Sequence, residues 1–182
     1  KVVGASAGGT LNVSRAWDDG TVNAYASRSG TTWQVAMFGG LARHETITED
    51  GFALVVCHEI GHHIGGAPKK SGWGSSNWAS NEGQADYFAT LKCLRKVFLN
   101  DDNASVVRGL AAPAELKKAC RKEYSKRVDE NICIRNGMAG MSVAKLFQAL
   151  RNATVLPDFK TPDAGVVSST NHAHPAYQCR LD

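Results

Sequence analysis

A helix through His58-Glu59-Ile60-Gly61-His62 leaves the rest of this chain few choices. His58 and His62 are one turn apart, so both imidazoles leave the helix on one face, where two neutral rings can hold a metal ion. Glu59 follows the first of them and can reach a water on an open coordination position of that metal. His63, one residue beyond His62, is rotated off this face. The run before the motif, Phe52-Ala53-Leu54-Val55-Val56-Cys57, is apolar, as a helix crossing a core must be. Thr48, Glu49 and Asp50 suit its N-terminus, and Gly65, Gly66 and Pro68 stop it.

Two histidines do not make a closed ligand set, so a third ligand must come from elsewhere. In one class of zinc hydrolases the motif continues H-E-x-x-H-x-x-G-x-x-H; this chain follows it through Gly65 and then has Pro68, which cannot ligate. The remaining source is a later helix. Glu82 lies twenty residues after His62, and Asp86 follows one turn on, sharing its face. Glu82 is the expected third ligand, with Asp86 accepting a hydrogen bond from a ligand imidazole and fixing its tautomer. Two His, one Glu and a water form an open catalytic site for one zinc ion.

With these residues the chain resembles the gluzincin metallopeptidases, and among them the HtpX-like and CAAX-prenyl-protease (Ste24-like) group. Asn23-Ala24-Tyr25-Ala26 is similar to that group's strand before the catalytic helix, and the zinc motifs match at His58, Glu59, His62, Glu82, Ala85 and Asp86. His174-Pro175, with Arg180 six residues after the histidine, matches a third element. The resemblance implies that His174 stabilises the oxyanion or, in a resting state, occupies the open metal position. It implies that Arg180 supports Glu82 or Asp86. It also implies that the strand over residues 33–38 is an open edge binding extended substrate, with Trp33, Val35 and Met37 as its substrate-binding residues; there, backbone hydrogen bonds accept any sequence and side-chain pockets select. His172 and His44 are read as bystanders. Unlike the membrane members, this chain has a Gly/Ser-rich loop after the catalytic helix.

The remainder predicts an α+β fold: a small N-terminal sheet, antiparallel or mixed, packed on a helical zinc-binding core, in a single domain over residues 1–182. Leu11, Val13 and Trp17 share one parity of a first strand; residues 22–27 and 32–38 read as the second and third, with turns at Asp18-Asp19-Gly20 and Ser29-Gly30. Residues 80–99 read as one helix, with Ala85, Phe88, Leu91 and Phe98 packing. Residues 113–151 read as two or three helices broken at Gly137 and Gly140, with Met138 and Met141 as core filler. Trp73 and Trp78 either line the cleft or pin the loop over residues 67–79. The stretch 152–171 returns the chain as a loop.

Twenty-one Lys and Arg against seventeen Asp and Glu give a net charge of +4 from mixed charges, with no basic stripe for nucleic acid. No apolar run reaches the roughly 18 residues of a membrane span. Five cysteines point to an oxidising compartment, periplasmic or secreted, most readily a bacterial envelope. Cys120 and Cys133 can close a helical hairpin. Cys57 reads as a free, buried thiol; Cys93 shares the face of Glu82 and can pair with Cys179, or Cys179 with a cysteine beyond Asp182. The chain starts without an initiator methionine and reads as processed or trimmed, with native sequence continuing past Asp182. The function expected is zinc-dependent hydrolysis of peptide bonds in extended or unfolded polypeptides. The alternative is a latent member acting as a binding or regulatory module, its zinc site plugged by His174 or a C-terminal segment. A purely structural zinc site would need a fourth protein ligand, and none has the spacing.

Overall fold

A computed structural model describes residues 8–70 and 77–182 and shows an α+β fold with a small mixed sheet. Strand β1 (Thr10–Ala16) runs parallel to β3 (Thr32–Phe38), and β2 (Ala24–Ser29) pairs antiparallel with the other side of β3, giving the order β1-β3-β2. The central strand is therefore β3. Its residues Val35 and Met37 are buried with Leu41 and Leu146, against Phe52, Val55, Val56 and Ile60 of the helix that carries His58 and His62. Val13 and Trp17, expected to share Leu11's inward face, are largely exposed; the Arg43 guanidinium covers the Trp17 ring instead.

After a short helix α1 (Gly39–Ala42), helix α2 (Glu49–Ile64) starts where the sequence places it: Thr48 Oγ1 accepts from the Gly51 amide at 3.0 Å. Helix α3 (Glu82–Phe88) is capped by Asn81, whose side chain accepts from the Gln84 amide. It continues through a π-helical turn (Ala89–Leu94) into α4 (Arg95–Phe98). The wide turn advances the helical phase, so Leu91, expected in the core, faces solvent while Leu94 and Phe98 are buried. Helices α2 and α3 meet at Gly61, where a Cβ would sit 2.9 Å from the Ala85 carbonyl oxygen and 3.0 Å from its Cα. Only a residue without a side chain allows the two helices to approach this closely.

The C-terminal half comprises α5 (Asn103–Gly109), α6 (Ala114–Glu123), the long α7 (Arg127–Leu150) and α8 (Tyr177–Leu181). Gly137 and Gly140 do not break α7 as expected. Gly137 is the point where α6 lies on α7: a Cβ there would come within 2.5 Å of Leu116 Cδ1. Met138 and Met141 pack as core filler. Buried Arg135 ties α7 to the start of α2 through Asp50, at 2.7 and 3.0 Å, and to Asp101 at 2.8 Å.

Two disulfides close. Cys120–Cys133 joins α6 to α7, as the spacing suggested. Cys57, expected to be free, is bonded to Cys93, and Cys179 is the exposed free thiol. The face that Cys93 shares with Glu82 looks at α2, so the nearest sulfur is that of Cys57 and not one in the C-terminal segment. Among the described residues no helix is long and apolar enough to cross a membrane.

Candidate metal centre

Two helices and one loop supply the centre. α2 presents His58, Glu59 and His62, all buried; the first turn of α3 presents Glu82, also buried. Ligand atoms of His58, His62 and Glu82 lie within 4.8 Å of one another. Glu82 Oε2 is 3.2 Å from His58 Nε2 and 3.6 Å from His62 Nε2. At zinc–ligand distances of about 2.0–2.1 Å, tetrahedral ligands stand about 3.3 Å apart, so the spacing fits a small cation between them. The same oxygen is buried without a hydrogen-bond partner of proper geometry. An orphaned carboxylate oxygen facing two imidazole nitrogens is a site that a metal ion would complete.

The far side of each imidazole is fixed. His58 Nδ1 donates to Asp86 Oδ1 at 2.7 Å and His62 Nδ1 donates to the Ser80 carbonyl at 2.8 Å. Oxygen acceptors at both Nδ1 atoms leave both Nε2 lone pairs turned to the centre. Asp86 is in turn gripped by Arg180, whose Nε and Nη2 donate to Oδ2 and Oδ1 at 2.9 and 2.7 Å, while the guanidinium stacks over Phe147 at 4.4 Å. Of the two partners left open for Arg180, the structure selects Asp86. The C-terminal helix α8 thus reaches the centre through one residue.

The electrostatics follow from burial and these pairings. Burial works against charge on His58, but the Asp86 hydrogen bond and the Glu82 carboxylate 3.2 Å away outweigh it and raise the imidazole to about 9, so a metal entering the centre would have to displace the Nε2 proton. His62 is pushed down to about 4 by burial and by the positive His58 beside it. Burial favours a neutral Glu82, yet the His58 imidazole 3.2 Å away and the hydrogen bond from Lys70 hold its carboxyl far below the usual range. Glu59 has the opposite balance: burial, reinforced by the charge of Glu82, pushes its carboxyl up against the pull of His58. A buried carboxylate of raised basicity beside a ligand histidine has the character of a general base.

A cleft of about 450 Å³ opens above the centre, walled by residues 23–26 on one side and by Lys70, Trp78 and His174 on the other. The sheet edge facing it is β2, and here the expectation from the resemblance is corrected. Residues 33–38 form the central strand, paired on both sides, and Trp33, Val35 and Met37 are 3%, 0% and 5% exposed. They build the core and its cover and offer no edge to a substrate. Trp33 stacks on His63 at 5.3 Å, and Trp78 stacks on the other face of that ring at 4.8 Å, so Trp78 both pins the loop and borders the cleft. Trp73 lies outside the described residues.

His174, at the cleft mouth, places Nδ1 3.2 Å from Glu82 Oε2 and is about half exposed. It stands outside the group of three residues that could hold a metal ion. His172 is half-buried, and His44 is engaged by Thr46. Sequence reading missed Lys70 and Ser80. Neither residue type at those positions signals a role; each acts through how the chain folds back after α2. No protein-family model, curated protein or solved structure matches this chain.

Proposed function

We propose that the protein is a zinc-dependent endopeptidase of the gluzincin type, resembling the HtpX-like and Ste24-like group, that cleaves extended or unfolded polypeptides outside the reducing cytoplasm. The observation that carries this reading is the constellation at Glu82 Oε2: two imidazoles with oriented Nε2 atoms, an orphaned carboxylate oxygen, and buried Glu59 bordering the same cleft. Bound there, zinc would polarise the scissile carbonyl and acidify a water. Glu59 would take a proton from that water as its oxygen bonds to the scissile carbonyl carbon, and would pass the proton to the leaving amine as the C–N bond breaks. His174, at the cleft mouth, donates to the oxygen on which negative charge develops. Asp86, Arg180 and the Ser80 carbonyl hold the two imidazoles in their ligating tautomers. The free edge of β2 pairs with the backbone of the substrate, which makes binding tolerant of sequence. Two disulfides support a periplasmic or secreted setting.

The test is cleavage of casein followed on gels. Wild type cleaves, and both a zinc chelator and Glu59→Gln abolish cleavage while the variant retains its zinc. Hydrolysis persisting in Glu59→Gln would remove Glu59 from its role. One observation favours a second reading, a latent module: His174 Nδ1 lies against the same Glu82 oxygen. Under that reading the zinc-loaded wild type is inactive and His174→Ala gains activity; under the first, His174→Ala loses it.

A further inference from the structure

The two oxygens of Glu82 are treated differently. Oε2 faces His58 and His62, whereas Oε1 accepts from Lys70 Nζ at 2.5 Å. Lys70 is held in place by more than this ion pair. Its backbone amide donates to the Ala79 carbonyl at 2.7 Å, Lys69 bridges antiparallel to Ser80, and the Asn81 amide donates to the Pro68 carbonyl at 2.9 Å. Lys69 Nζ adds contacts to the Trp78 carbonyl and Ser80 Oγ. The chain leaving α2 and the chain entering α3 are thus locked together. The same short ladder carries Lys70, the Ser80 carbonyl that orients His62, and the Asn81 cap that starts the helix of Glu82.

We propose that Lys70 is a positioning residue that keeps Glu82 a one-oxygen ligand. A carboxylate with both oxygens free can chelate a metal through both and fill the position a water needs. An ammonium bonded to Oε1 withdraws that oxygen, leaves Oε2 alone to ligate, and preserves the open position on which hydrolysis depends. Lys70 acts through Glu82 and does not itself touch the reacting atoms. The proposal rests on the metal-site reading above and adds to it a residue outside the H-E-x-x-H and Glu motifs.

The test uses the full chain loaded with cobalt(II), whose visible absorption reports coordination number. Wild type and Lys70→Met are each titrated with cobalt(II) to one equivalent, with Lys70→Arg as the conservative variant. Wild type should show the intense bands of a low-coordinate site. Lys70→Met should bind the metal with clearly weaker, shifted bands of higher coordination, and Lys70→Arg should restore the wild-type spectrum. With zinc, kcat of Lys70→Met should fall roughly 10- to 100-fold with little change in KM. Identical cobalt spectra at full occupancy in wild type and Lys70→Met would overturn the role of Lys70 while leaving the metal site standing. Failure of wild type itself to bind cobalt or zinc would overturn both. Lys70 is about one-third exposed, and Lys70→Gln serves as a second variant on the same spectral readout.

Discussion

At the scale of single residues, the imidazoles of His58 and His62 are each held from behind. Asp86 is the clearest case, since it serves His58 and Arg180 at once. Asp86→Ala would leave the Arg180 guanidinium facing His58 Nδ1, 3.5 Å away, with no carboxylate between them. Zinc affinity should fall roughly 10- to 100-fold, read by competition with a chromogenic chelator. Unchanged affinity would mean that Asp86 does not set the His58 tautomer. The grouping of His58, His62, Glu82 and Asp86 was legible in the sequence because helical spacing fixes which residues share a face. His62's partner was not: a backbone carbonyl carries no residue signature, and Ser80 O reaches the ring only through the fold-back of the chain. Lys70 was hidden for the same reason.

At the scale of elements, the centre depends on holding α2 against α3. Two features do so: the side-chain-free contact at Gly61, and the Cys57–Cys93 disulfide, which joins the residue before His58 to the π turn that extends α3. The disulfide closes a loop of 36 residues, which corresponds to about 4 kcal/mol in the chain-entropy account. Replacing both cysteines by alanine should lower unfolding stability in urea by roughly 2–5 kcal/mol and weaken zinc binding as well. A variant of unchanged stability and affinity would show that packing alone sets the distance between the helices. Sequence reading placed both helices and the strands to within a residue or two, yet misjudged this link and the sheet order. Alternation of apolar and polar residues is the same in a central and an edge strand, so the Trp33, Val35 and Met37 pattern did not distinguish an edge from the middle. Glycine in a helix likewise reads as a break until the neighbour at Leu116 is seen.

At the scale of the whole molecule, a three-stranded sheet and a set of helices converge on a cleft edged by β2, and the C-terminal segment closes the ring by bringing Arg180 and His174 to it. The α+β class was readable from strands followed by helices. The convergence of the two ends of the chain was visible only through the His174 to Arg180 interval, because contacts this distant in sequence leave no local trace. The proposed activity requires that His58, His62 and Glu82 together hold a metal. The most direct measurement is zinc content by elemental analysis, together with competition titration, on purified wild type and Glu82→Ala. One tightly held zinc per wild-type chain is expected, with a large loss of affinity in a Glu82→Ala protein that remains folded. Equal zinc binding by the two proteins, or none by wild type, would contradict it.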